Sequence, residues 1–135
     1  MMFKTGLINT LAFLMLITEL PTDIGSTPVS VEALSKKWKL EKYAYLIFSE
    51  SPEAVEKNDY LLLKSDLSFE SVSEGKYEEG SWRLDTKRKR LYLSQAGAED
   101  ELVFIIDEFR DDELVLIVDD PADEDAQYLK ILFKS

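Results

Sequence analysis

Carboxylates are the most abundant reactive side chains in this sequence, and they gather in two places: Asp107, Glu108, Asp111, Asp112 and Glu113, then Asp119, Asp120, Asp123, Glu124 and Asp125. Hard oxygens at this density are what a calcium ion needs. A calcium loop of the Asp-x-Asp-x-Asp-Gly kind also requires Gly at its turn and Glu at its twelfth position, and neither run supplies them. No metal is assigned. With Lys and Tyr, the carboxylates are also the only acid and base groups on offer for catalysis. Such work needs a carboxyl tuned by partial burial, whereas these sit where turns are expected, so they read as solvated loops and the chain as a non-enzyme. The sequence has no Cys and no His, which removes disulfides, thiol nucleophiles, imidazole bases and the usual zinc and haem ligands. No cofactor is implied.

The elements that carry these residues follow from length and periodicity. The chain has 135 residues, 45% of them hydrophobic and 11% aromatic, with 5 Gly and 4 Pro, which is enough for one compact domain and too apolar for a disordered one. Beyond the first 26 residues, apolar residues recur with a period of two in short runs rich in Tyr, Phe, Val, Ile and Leu, the pattern of half-buried strands. The runs are 37–48, 59–64, 67–73, 76–84, 89–94, 101–109, 113–118 and 127–134. Gly80, Trp82 and Leu84 share one face of the fourth, and Glu79, Ser81 and Arg83 the other; Leu91 and Leu93 point inward from the fifth. Short turns such as Ser73-Glu74-Gly75 and Arg110-Asp111-Asp112 suit hairpins. The segment Ser51–Lys57, with Ser at the cap and Pro in the first turn, predicts one or two helical turns. Successive hairpins make a meander, and closing it removes the exposed edges. The expected fold is all-β, an eight-stranded antiparallel up-and-down β-barrel.

Residues 1–26 have a different character. Lys4 precedes the apolar run Leu7–Ile17, and Glu19, Pro21 and Asp23 end it before a membrane-spanning length is reached. A cation followed by a short apolar stretch is the profile of a signal peptide, although the residues before Gly25 and Ser26 are not the small ones a cleavage site favours. The expected organisation is a signal peptide, or alternatively an N-terminal hydrophobic helix, at 1–26 and a barrel domain at 27–135, with the product exported to a periplasmic or secreted location. Without Cys there is no lipobox. The leader holds only Lys4, Glu19 and Asp23 among charged residues, so the acidity belongs to the barrel. With 16 Lys plus Arg against 27 Asp plus Glu, the net charge of -11 repels phosphate backbones and excludes nucleic acid as a partner.

Four blocks of this pattern resemble the lipocalin-like domains of exported bacterial proteins, a branch of the calycin barrels. Leu34–Tyr43, LSKKWKLEKY, is similar to the family's opening LxGxWxL, with Trp38 on the Trp position and Lys36 where Gly is usual. Tyr60–Ser71 resembles its strand, Asp-containing turn and Phe-bearing strand. Tyr77–Leu93 resembles its Gly-x-Trp strand, charged hairpin and Leu-x-Leu strand, and Phe104–Ile117 its acidic hairpin. The resemblance implies a barrel whose interior takes a small apolar or amphipathic ligand. The contacts expected on that basis come from Trp38, Leu40, Leu62 and Phe69 in the first half of the chain, and from Trp82, Leu93, Phe104 and Leu116 in the second.

An eight-stranded barrel is just wide enough to be filled by its own side chains or to hold one small ligand. Trp38, Phe69, Trp82 and Phe104 are large enough to fill it, and floor packing is the first expectation for both indoles, each of which needs a partner for its N–H. A filled barrel would instead present its acidic surface to a protein partner. The one basic cluster, Lys87-Arg88-Lys89-Arg90, reads first as a charged hairpin tip that discourages edge pairing, and second as an anion or headgroup contact at a barrel mouth.

Overall fold

The computed structural model describes residues 28–46 and 48–135. The segment 1–26 read as a leader lies outside the described residues. Among the described residues nine strands follow one short helix: α1 (Val31–Leu34), β1 (Lys37–Tyr45), β2 (Phe48–Glu50), β3 (Tyr60–Leu63), β4 (Ser68–Ser73), β5 (Lys76–Asp85), β6 (Arg90–Gln95), β7 (Glu101–Arg110), β8 (Glu113–Val118) and β9 (Leu129–Lys134). Each strand from β3 onward pairs antiparallel with the next, and β9 returns to β1 with Leu40 opposite Phe133 and Tyr43 opposite Ile131. That last pairing closes β1 and β3–β9 into an eight-stranded antiparallel barrel. β2 is an addition: β9 takes one edge of β1 from Lys39 to Tyr45, so β3 and β2 share the other, β3 opposite Lys37–Lys39 and β2 opposite Tyr43–Tyr45.

The strands lie close to where periodicity puts them, with one exception. The run read as a single strand over 37–48 stops at Tyr45, because Leu46 adopts a left-handed conformation (φ 55°) and the chain reverses so that Phe48 pairs with Tyr45. The helix expected over Ser51–Lys57 contracts to a single 3-10 turn, Ala54–Glu56, capped from Glu53 rather than Ser51. The backbone is still extended at Glu53 (φ -68°, ψ 168°), and the Glu53 N–H donates to Glu56 Oε1 at 3.2 Å, so the turn begins two residues later than the Ser-Pro signal suggests.

Two β-bulges, between Leu40 and Lys42 in β1 and between Ile106 and Glu108 in β7, each add one residue to their strand. A bulge bends and twists the strand and reverses the in–out parity of the residues beyond it. Leu40 and Tyr43 therefore face the same lumen, as do Ile106 and Phe109. Gly80 serves curvature in another way. A Cβ built there would lie 2.0 Å from the Ser94 carbonyl oxygen and 2.9 Å from the Phe69 ring, so β5 approaches β6 at a distance only glycine allows.

Candidate functional site

The two ends of the barrel are built differently. At the end where β1, β6 and β8 begin, the lumen is packed solid. Trp38, Leu63, Phe69, Trp82, Leu91, Ile106, Phe109 and Leu114 form one buried cluster, and α1 lies across it as a plug, with Leu34 fully buried and Val31 and Ala33 packed alongside. The helix is only four residues long, and Ser30 holds it: its hydroxyl accepts from the Ala33 N–H at 3.1 Å. Both indoles find carbonyls here. Trp38 Nε1 donates to Leu34 O at 3.0 Å and Trp82 Nε1 to Lys64 O at 2.9 Å, so neither leaves a buried donor unpaired. Trp38 also meets Phe109 edge-to-face at 6.0 Å. Lys36, at the position where the resembled family has Gly, sets its ammonium 4.9 Å over the Trp38 ring and donates to Asp111 O, tying the entry to β1 against the β7–β8 turn.

At the opposite end the side chains stop short of meeting. A cavity of about 240 Å³ opens there, with an apolar wall formed by Leu40, Leu61, Leu93, Leu102, Phe104, Leu116, Ile131 and Phe133. Its polar positions include Tyr43, Asp59, Ser71, Ser73 and Glu78, and among the described residues no Lys or Arg lines it. Asp59 is buried, at 5% exposure, and both of its carboxylate oxygens accept from one backbone N–H, that of Glu74, at 2.9 and 3.1 Å. This contact anchors the Glu74-Gly75 turn, whose two residues both have positive φ (52° and 79°), as a two-residue hairpin of this twist requires. Tyr43 donates its hydroxyl to Glu56 Oε2 at 2.7 Å. Burial first, then the hydrogen bond to Glu56 and the charges of Glu56, Asp59 and Glu74, push the Tyr43 phenol well above its ordinary range.

Of the residues expected to touch a ligand, Leu40, Leu93, Phe104 and Leu116 come together on the cavity wall. Trp38, Phe69 and Trp82 do not reach it; they belong to the packed end, as the floor-packing expectation has it. Leu62 is a correction. In the run Tyr60–Leu63 the inward positions are Leu61 and Leu63, set by Leu61 lying opposite the buried Trp38, so Leu62 points to the outside of the wall between Lys37 and Glu70. Trp38, Phe69 and Trp82 fill one half of the lumen, while Phe104 stands on the wall of the other.

Sequence reasoning missed the polar side of the cavity. The alternation that places Phe69 inside also places Ser71 and Ser73 there, and that of Gly80 and Trp82 places Glu78 inside, so this signal was present. Tyr43 follows a bulge and Asp59 follows a loop, and neither has a periodic signal. The basic hairpin Lys87–Arg90 joins β5 to β6 at the packed end and contributes no residue to the cavity lining, and Arg90 pairs on the outer wall with Asp119 at 3.2 Å, so the cluster does not make the headgroup contact at this mouth. Asp119–Asp125 lies in an exposed loop with a 3-10 turn over Glu124–Tyr128, and among the described residues no three acidic side chains converge on a metal-sized space.

No protein-family model matches the chain, and no curated protein does. Among solved structures, the fold is similar to that of a DUF4847 family protein from Bacteroides vulgatus ATCC 8482, with a TM-score of 0.55 over 78% of this chain and 96% of that one. The two share 13% of their residues over the match, so the likeness is one of fold alone: an antiparallel β-barrel of the same type.

Proposed function

We propose that this protein is a non-catalytic, lipocalin-like carrier that holds one small apolar or amphipathic molecule in the open half of its lumen. The observation that carries this reading is the cavity itself: about 240 Å³, walled mainly by Leu, Ile and Phe, entered from one end and floored by a packed aromatic cluster. Concave, largely apolar sites with a few placed polar groups are the general form of small-molecule sites, and an eight-stranded barrel has room for one such molecule. The modest volume favours a single short chain or small ring system over a large lipid. Export belongs to the same proposal. It rests on the Lys4 and Leu7–Ile17 pattern, and N-terminal sequencing of the protein from fractionated cells tests it: intact Met1 in the cytosol would refute it.

The binding reading is tested by incubating the purified chain with a mixed lipid extract and examining it by native mass spectrometry, alongside thermal shift with octanol. A retained small molecule and a raised Tm are expected. A bare protein with an unchanged Tm would overturn the proposal.

A second reading has its own observation. Tyr45, Leu46 and Phe48, at the β1–β2 hairpin, are 40%, 64% and 67% exposed beside acidic loops at the open end. Aromatic and apolar groups rimmed by charge suit a protein partner of basic character. A pull-down that loses the partner as salt is raised supports this reading, and it competes with the first if occupancy of the lumen leaves the contact unchanged.

A further inference from the structure

The chemistry of the cavity's polar groups goes further than its size and specifies the charge of what enters. Asp59 lines the cavity at 5% exposure, accepts from a single backbone N–H, and among the described residues has no Lys or Arg within ion-pair distance. A carboxylate so placed ordinarily gains a cation or several donors. Glu78, half-buried on the same lining, has among the described residues only Lys76 as a cation near it, at 3.8 Å and largely in solvent. We infer that the occupant of the lumen carries a cationic nitrogen, its apolar part against Leu40, Leu93, Phe104 and Phe133 and its ammonium facing Asp59 and Glu78.

This inference rests on the carrier reading and narrows it to small alkyl or aryl amines. The long-range field agrees with it. The polarity of the strands brings the loops bearing Glu53, Glu56, Glu74, Glu99, Asp100 and the run from Asp120 to Asp125 to the cavity end, while the Lys87–Lys89 turn lies at the other, and Arg90 pairs with Asp119 at 3.2 Å on the outer wall between them. A mouth of one sign draws in ligands of the opposite sign. Tyr43 stands in the same field: burial first, then the hydrogen bond to Glu56 and the charges of Glu56, Asp59 and Glu74, raise its phenol, and those charges, unlike burial, would favour a cation beside it.

The test compares octylamine, octanol and octanoate on the full chain by isothermal titration at neutral pH. Octylamine, which is protonated there, is expected to bind about tenfold more tightly than octanol, the margin of a charge-assisted contact over a neutral one, with octanoate weakest. In Asp59→Asn, which keeps an oxygen for the Glu74 N–H, and in Glu78→Gln, the ratio of amine to alcohol affinity is expected to fall to about threefold or less. If the Asn variant does not fold, the Gln variant decides. Octanol binding as well as octylamine overturns the cationic ligand and leaves the carrier reading standing; a preference that survives in Glu78→Gln and in a folded Asp59→Asn overturns its placement. No binding by any of the three overturns both.

Discussion

The packed end and the open end of this barrel use the same strands and share Leu, Ile and Phe on their walls, yet one is a core and the other a container. The difference lies in what covers each end. α1 adds Leu34 and two neighbouring apolar residues to the cluster that holds Trp38, Phe109 and Leu114, so large side chains close the end. At the open end the connection between β2 and β3 crosses the rim with a 3-10 turn that buries no side chain, and Ser71 and Ser73 stand where a second layer of Leu or Phe would have closed the lumen. A small barrel therefore makes room by withholding bulk at a few positions of one layer rather than by widening.

The sharpest way to break that comparison is to truncate one residue at each end. Trp38→Ala or Leu114→Ala at the packed end should lower the unfolding free energy by about 3–5 kcal/mol, because both sites are fully enclosed and relax little. Leu102→Ala at the mouth, where the side chain is 52% exposed, should cost under about 1 kcal/mol. Urea denaturation of the three variants measures this, and equal costs would mean the ends are not distinct. Gly80→Ala comes next in size, at about 2–4 kcal/mol, since the added methyl meets a carbonyl oxygen that cannot move without parting β5 from β6.

Much of this fold could be read before the structure, and the misses share a cause. The strands from β3 onward were legible because alternation is a local signal: Gly80, Trp82 and Leu84 against Glu79, Ser81 and Arg83 specify a face without any partner. Leu62 misled because Tyr60–Leu63 is apolar on both faces, and only pairing with Trp38 decides which face is inside. Tyr43 escaped because a bulge changes parity without changing composition. α1 escaped because four residues carry too little periodicity to register, although Ser30 followed by Val31 and Leu34 holds its cap and its anchor. The apolar wall and, by the same alternation, Ser71, Ser73 and Glu78 were thus accessible from the sequence, and only Tyr43 and Asp59 depended on bulge and loop geometry.

A third variant turns the container back into a core. Ile131→Phe adds a ring to the empty layer, so overpacking and added burial should nearly cancel, leaving stability within about 1 kcal/mol of the parent while octanol affinity falls by more than about tenfold. Denaturation and titration on the same sample check both halves of that expectation. A large loss of stability would show that the open layer is already full.

The smallest effect concerns Tyr43 and confines an alkaline response to the open end. Its phenol is held above the ordinary value of 10.0, by burial first and by its acidic neighbours second, so the folded state binds the proton more tightly than the unfolded state does. That contribution is complete below about pH 10, where both states are protonated, and drains away as pH climbs above it and only the unfolded chain ionises. Tyr43→Phe removes the Glu56 hydrogen bond and should cost about 0.5–1 kcal/mol at neutral pH. It also removes the titrating group, so the gap between parent and variant should narrow as pH is raised past about 10. Lys64, Tyr77 and Lys130 are also shifted upward but are common to both proteins, so they cancel in the difference. Denaturation curves across the alkaline range measure the gap, with intrinsic fluorescence as a second probe. Trp38 and Trp82 both lie in the packed end, so their emission should hold steady while the mouth responds, and a gap independent of pH would place the Tyr43 hydroxyl in open solvent.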